Sequence, residues 1–314
     1  MTNRADRASI RRVTSSSASR RVRKAVVPAA GLGTRHFPAS HAVKKELFPI
    51  VGPDGIARAL IHYHLIELEQ AGIDEICIIV QPGDEAAIRA YLDGPDEAYL
   101  ERLAKHPRLA EEAKHLKDLS RRVQFAVQHE QEGYGHAVYQ TREFAAGEMV
   151  VLCLGDHLFR GIPMSPYREL ADLAARSNGR SVSLVNRIGP ADLRGFGTIA
   201  GKRHDDDPRL IDVSLIIEKP DVATARSRLR VDGLEDDLFL GWFGMHALSP
   251  SIYEVLAQMI RDNVRDHGEF QLTRAQEIQR QREGYLALET TSGQRRFDFG
   301  TPEDFVQSVG QFCR

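Results

Sequence analysis

Residues 24–50, KAVVPAAGLGTRHFPASHAVKKELFPI, decide how the chain folds. Lys24 to Val27 is a short, mostly apolar run stopped by Pro28, the pattern of a buried strand that ends abruptly. Ala29, Ala30, Gly31, Leu32, Gly33 and Thr34 follow, closed by Arg35. Two glycines two positions apart let backbone N–H groups face an anion with no Cβ in the way, while Arg35 and Lys45 add positive charge. A small-residue turn leaving a first strand is where α/β proteins hold phosphates. A Rossmann fingerprint needs a third glycine where this chain has His36, and a P-loop needs Gly-Lys-Ser/Thr where Gly33 is followed by Thr34-Arg35. Both patterns drop out.

Outward from that stretch, the chain alternates strand and helix signals. In IARALIHYHLIELEQAG (56–72) apolar positions recur at helical spacing and Gly72 supplies a stop. EICIIVQP (75–82) is a continuous β-branched run ended by Pro82, a second buried strand. Strand, helix and strand with short connections make a βαβ unit and start a parallel sheet. Residues 84–122 read as helical with a solvated, charged face. RVQFAVQ (122–128) is a third strand, EMVVLCLGDHLF (148–159) a central one with Asp156 at its C-terminal end, and SVSLVNRI (181–188) continues the sheet. GFGTIAG (195–201) is a glycine-bracketed strand, and RLIDVSLIIEKP (209–220) ends in Glu218-Lys219-Pro220. An aspartate after a strand is commonly a helix cap, and a Glu-Lys pair a solvated one, so neither speaks alone.

Composition bounds the alternatives. With 314 residues, 42% hydrophobic and 27% charged, the chain can bury one large α/β core. A net charge of −2 lacks the basic surplus of a nucleic-acid binder. No apolar run approaches the ~18 residues that a membrane span needs. Three cysteines, Cys77, Cys153 and Cys313, form no disulfide or zinc pattern and imply a cytoplasmic location. His157 beside Asp156 lacks paired ligand spacing for zinc. Residues 1–23, rich in arginine and serine, are expected to be a disordered leader, with residues 24–314 a single domain.

Taken in order, G-x-G-T-R, P-A-S, K-E-L-F-P, the E-K-P at 218–220, the G-E-F-Q-L-T at 268–273 and Asp298 before Gly300-Thr301-Pro302 resemble the signature of sugar-1-phosphate nucleotidyltransferases. Within them the chain looks most similar to bacterial UTP-glucose-1-phosphate uridylyltransferases. That resemblance implies a Rossmann-like three-layer sandwich with a mixed, mostly parallel central sheet, of the nucleotide-diphospho-sugar transferase type. It implies a Mg²⁺-dependent transfer of the uridylyl group of UTP to glucose 1-phosphate, and a homo-oligomer, dimer or tetramer. Ala29, Ala30, Gly31, Gly33, Gln128, Gly133 and Asp156 would bind the nucleotide, Gln128 and Gly133 at the base. Gly197, Glu218 and Lys219 would bind the sugar phosphate. Asp156 and Asp298 would hold the metal, and Arg35, Lys45 and Lys219 would neutralise the reacting phosphates.

Some positions depart from the pattern. Where these uridylyltransferases usually read T-K-A-I-P-K-E, the chain has Ser40-His41-Ala42-Val43-Lys44-Lys45-Glu46, and Q-L-T-D-A becomes Gln271-Leu272-Thr273-Arg274-Ala275. Phe196 replaces the usual tyrosine before Gly197. Another nucleotide such as dTTP, another hexose 1-phosphate, or a weakly active regulatory homologue that binds sugar nucleotide are the alternatives these departures leave open.

Overall fold

The thirteen strands among the described residues are β1 (Lys24–Pro28), β2 (Pro49–Val51), β3 (Ala57–Ala59), β4 (Glu75–Val80), β5 (Val123–Val127), β6 (Val150–Cys153), β7 (His157–Gly161), β8 (Ser181–Ile188), β9 (Gly197–Arg203), β10 (Leu210–Glu218), β11 (Phe239–Leu248), β12 (Tyr285–Glu289) and β13 (Gln294–Asp298). They come from a computed structural model that describes residues 21–314. Nine of them form one sheet in the order β5-β4-β1-β6-β11-β8-β12-β10-β9. Every strand of that sheet except β10 and β11 runs in one direction, which gives the mixed, mostly parallel sheet expected.

The strand pattern explains the layers. Successive side chains of a strand point to opposite faces, so a strand buried on both sides reads as an unbroken apolar run. In β4, Ile76, Ile78 and Val80 enter one core while Cys77 and Ile79 enter the other. The first core is roofed by helices such as Leu60–Gln70 and Pro166–Ala175, which contribute Leu65, Leu68, Tyr167 and Leu170. The second is roofed by Ser251–Arg261 and Leu272–Glu283, through Ile252, Leu256, Leu272 and Ala275. Two helical layers about one sheet are the three-layer sandwich.

Three boundaries differ from the sequence pattern. The run 148–159 is two strands, because the chain turns at Leu154–Asp156 between β6 and β7. Gly155 is what allows the turn to tuck under β1: a Cβ there would lie 2.5 Å from the Pro28 carbonyl oxygen. Residues 84–122 form three helices, Glu85–Leu92, Glu97–Leu103 and Pro107–Ser120. Packing also begins ahead of Lys24, since Val22 is buried and Arg21 and Arg23 both reach Asp74, at 2.5 and 2.6 Å. The remainder of the leader expected over residues 1–23 lies outside the described residues. Among the described residues no helix is long and apolar enough to cross a membrane.

Candidate active site

Ligands of open α/β sheets bind beyond the carboxyl ends of the strands, and two adjoining cavities occupy that edge here. The first, about 410 Å³, lies against the loop that leaves β1 and includes Ala30, Gly31, Lys45, Gln128, Gly133 and Asp156 in its lining. The second, about 560 Å³, is lined in part by Arg35, Asp156, Asp298, Gly197, Glu218 and Lys219. Asp156 stands in the wall that both share.

The antiparallel ribbon of β7 and β13 brings the two aspartates together. Its register sets Asp298 opposite His157, so residues about 140 positions apart in the chain meet where β6 ends. The backbone N–H of Phe299 also donates to the Asp156 carbonyl at 2.8 Å. A Cβ placed on Gly300 would lie 3.0 Å from Asp298 Oδ1, 3.4 Å from Asp156 Oδ2 and 3.5 Å from Arg35 Nη1. Two carboxylates and a guanidinium therefore converge on one small volume that only glycine leaves open.

Each carboxylate is held by cations. Lys45 Nζ donates to Asp156 Oδ2 at 2.7 Å. His157 bridges the pair: Nε2 lies 2.9 Å from Asp298 Oδ2, and Nδ1 lies 3.1 Å from Asp156 Oδ1 in an ion-pair contact outside hydrogen-bond alignment. Arg296 Nη1 and the Gly300 N–H donate to Asp298 at 2.9 and 2.8 Å. Burial alone would raise the Asp156 carboxyl, but His157 and Lys45 outweigh it and hold it well below the usual carboxylate range. Asp298, likewise desolvated, is drawn down to about 2 by His157, the Gly300 N–H and Arg296. Burial opposes charge on His157, yet the two aspartates raise it to about 9, so the imidazolium persists at neutral pH. Lys45 is desolvated too, and Asp156 and Glu46 raise it nonetheless.

Among the described residues no group of three or more His, Cys, Asp or Glu side chains is arranged to hold a metal. The chemistry of the donor set still fits a hard divalent cation, because Mg²⁺ commonly takes one or two carboxylates and completes its shell with phosphate and water. Asp156 and Asp298 are the residues that would hold it.

The other sequence-predicted residues fall into place unevenly. Ala29 is buried and extends the β1–β4 ladder through its N–H to Ile79. Gly33 takes a left-handed φ of 66° and its carbonyl accepts from Ser40 Oγ at 2.7 Å, on the outer side of the loop. Gln128 is buried; its amide Nε2 donates to the Gly133 carbonyl at 3.3 Å, leaving Oε1 open to a ligand. Gly133 has φ 111°, and a Cβ there would lie 2.7 Å from that of Glu269. Its glycine is thus required by the backbone clamp of residues 132–135 on Phe270, whose N–H donates to Glu132 and whose carbonyl accepts from Gly135, each at 2.8 Å.

On the sugar side, a Cβ at Gly197 would lie 2.1 Å from Trp242 Nε1, so the absent side chain is filled by indole. Glu218 accepts from Thr273 Oγ1 at 2.6 Å, and Lys219, at φ 46°, keeps an exposed ammonium 3.8 Å from Glu218. Phe196 packs edge-on against Phe243 at 4.5 Å, with the Arg296 guanidinium over Phe243. Arg296 is a functional neighbour that the sequence does not single out, and His157, weighed there only as a zinc ligand, is instead the bridge between the two carboxylates. Arg296 had one available signal: it sits two residues before Asp298 on a strand and so shares its face.

The fold and this cation-braced carboxylate pair between two cavities fit an enzyme of nucleotidyl transfer. Residues 24–310 match the nucleotidyl transferase family, and the chain belongs to it. UTP–glucose-1-phosphate uridylyltransferase 2 of Staphylococcus saprophyticus subsp. saprophyticus is 30% identical over 301 residues, 94% of this chain and 93% of its own. The uridylyltransferase of the same name from Staphylococcus epidermidis is 29% identical, with the same two coverages of 94% and 93%. Among solved structures, an apo UDP-glucose pyrophosphorylase superposes with a TM-score of 0.77 at 21% identity, covering 93% of this chain and 98% of its own. A UTP-bound UGPase from Acinetobacter baumannii gives 0.72 at 22% identity and 93% of both chains. At those identities the structures establish the shared fold.

Proposed function

We propose that this protein transfers the uridylyl group of UTP to glucose 1-phosphate, giving UDP-glucose and pyrophosphate. The observation that carries this reading is the place of Asp156 in the wall between the two cavities, with Asp298 and Arg35 converging on the same point. The names of the relatives at 29 and 30% identity supply the substrate pair.

A phosphate oxygen of the sugar phosphate attacks the α-phosphorus of UTP, and the bond from that phosphorus to the bridging oxygen of the β-phosphate breaks as pyrophosphate leaves. The nucleophile is already an anion, so no general base is needed. What the protein must supply is alignment and neutral charge. Gln128 and the backbone at Gly133 orient the base, and the loop of Ala30 and Gly31 receives the phosphates. Lys45, released from Asp156, and Arg35 meet the charge that gathers on pyrophosphate. Lys219, exposed in the second cavity, is free to meet the sugar phosphate as a point charge. Mg²⁺ on Asp156 and Asp298 would supply charge neutralisation that lets two polyanions approach. An assembly of two or four copies and a cytoplasmic location, the latter supported by the absence of disulfides among its three free cysteines, complete the proposal.

Pyrophosphate release measured with Mg²⁺, crossing UTP, dTTP, ATP, CTP and GTP with glucose, galactose and mannose 1-phosphates, tests it. A dominant signal for UTP with glucose 1-phosphate is expected. A different preferred pair would replace the substrates, and silence across the grid with nucleotide still bound would replace catalysis by regulation.

A further inference from the structure

Lys44 stands where the resembling uridylyltransferases carry proline, and it lines neither cavity. Its ammonium donates instead to the Gly31 carbonyl at 3.1 Å, and Gln81 Nε2 donates to the same oxygen at 3.2 Å. Asp84 Oδ2 lies 2.7 Å from Lys44 Nζ, with only 15% and 24% of the two side chains exposed. One carbonyl of the phosphate-type loop is therefore fixed from outside by two donors, one of them a charge anchored by its own carboxylate. Charge-assisted contacts of this kind are stronger than neutral ones.

The consequence follows from peptide geometry. In a planar trans peptide the C=O and the next residue's N–H point in opposite directions. Tying Gly31 O to Lys44 and Gln81 turns the Leu32 N–H the other way, and both Gly31 and Leu32 line the nucleotide cavity. Space is open there, since a Cβ on Gly31 would meet nothing within 4 Å. Among the described residues nothing accepts from that N–H.

We propose that Lys44, anchored by Asp84 and joined by Gln81, is a positioning residue that presents the Leu32 N–H to an anionic oxygen of the nucleotide's polyphosphate. The proposal rests on the first cavity taking a nucleoside triphosphate. Lys44 lines neither cavity, unlike Lys45, so it is not placed to serve as a phosphate ligand itself. Its charge acts through the peptide that it orients.

Calorimetric titration of UTP and of uridine into the wild type, Lys44→Met, Lys44→Arg and Asp84→Asn separates the possibilities. Lys44→Met should weaken UTP on the order of tenfold, the loss of one charge-assisted hydrogen bond, and leave uridine within about twofold. Lys44→Arg should restore most of the loss, and Asp84→Asn should also weaken UTP. Tighter UTP binding by Asp84→Asn would overturn the proposal, because it would mean that freed Lys44 grips phosphate directly. Uridine weakening in step with UTP would also overturn it, by showing general damage to the pocket. A wild type that binds another triphosphate in place of UTP would displace the uridylyl reading and leave the loop assignment standing, to be measured with that triphosphate and its nucleoside.

Discussion

Glu46 carries the largest unmet polar demand next to the site. It is 0% exposed, neither carboxylate oxygen has a hydrogen-bond partner, and its nearest cation is Lys45 Nζ at 3.7 Å. Burial pushes its carboxyl up to about 7 against the opposing pull of Lys45. A folded-state pKa above the unfolded one means that the protonated form favours the fold. That stability is complete below the unfolded value of about 4.5 and is lost as pH rises through about 7. Relative to Glu46→Gln, which cannot ionise, the wild type should lose roughly 3 kcal/mol across that window, at 1.36 kcal/mol per pK unit. Thermal melting of both proteins from pH 4.5 to 8 reads this directly, and a constant difference in midpoint would refute it. The neighbouring chemistry was only half readable in sequence. Asp156 ended a readable strand, and Asp298, Lys45 and Glu46 stood in recognisable motifs, but the burial of Glu46 did not show there, because it depends on the Gly155 turn packing against it.

At the level of elements, β9 and β11 meet through an unusual fit. Gly197 pairs with Trp242 across the two strands, and the indole nitrogen occupies the space of the missing side chain. Gly197→Ala should force the ring aside and cost roughly 1–3 kcal/mol, as overpacking of a filled core does. Trp242 is the only tryptophan in the chain, so its emission reports the displacement without ambiguity. A shifted emission maximum with a lower urea midpoint is expected, and wild-type values for both would show that the strands yield instead. The elements themselves were readable wherever one physical rule governed them. β4 is a continuous apolar run from Ile76 to Val80 because both faces of the sheet are covered there, and Pro302 opens the last helix, Pro302–Phe312, where its missing N–H costs nothing. The β6–β7 break escaped notice because its cause is a contact with β1, and the pairing of β7 with β13 joins segments that no local pattern links. The bridging role of His157 and the part of Arg296 were hidden for the same reason: what they do depends on which strand ends the fold brings together.

For the molecule as a whole, the carboxylate pair at the sheet edge sets how metal and fold are related. A structural metal site leaves its ligands uncompensated when emptied, so chelation unfolds the domain. Here Asp156 has Lys45, Asp298 has Arg296 and the Gly300 N–H, and the His157 imidazolium lies between them. The metal-free protein thus carries its own counter-charges in place, tied into the same sheet whose two cores hold the chain together. Those counter-charges suffice for two carboxylates but not for a triphosphate and a sugar phosphate brought side by side, where several more negative charges must be offset. Chelation should therefore leave the melting temperature within about 1 °C, a fraction of a kcal/mol for a domain of this size, while pyrophosphate release stops and returns on adding Mg²⁺. A fall of many degrees on chelation would make the cation part of the fold, and turnover that survives chelation would mean that Lys45, Arg35 and Lys219 meet the phosphate charge unaided.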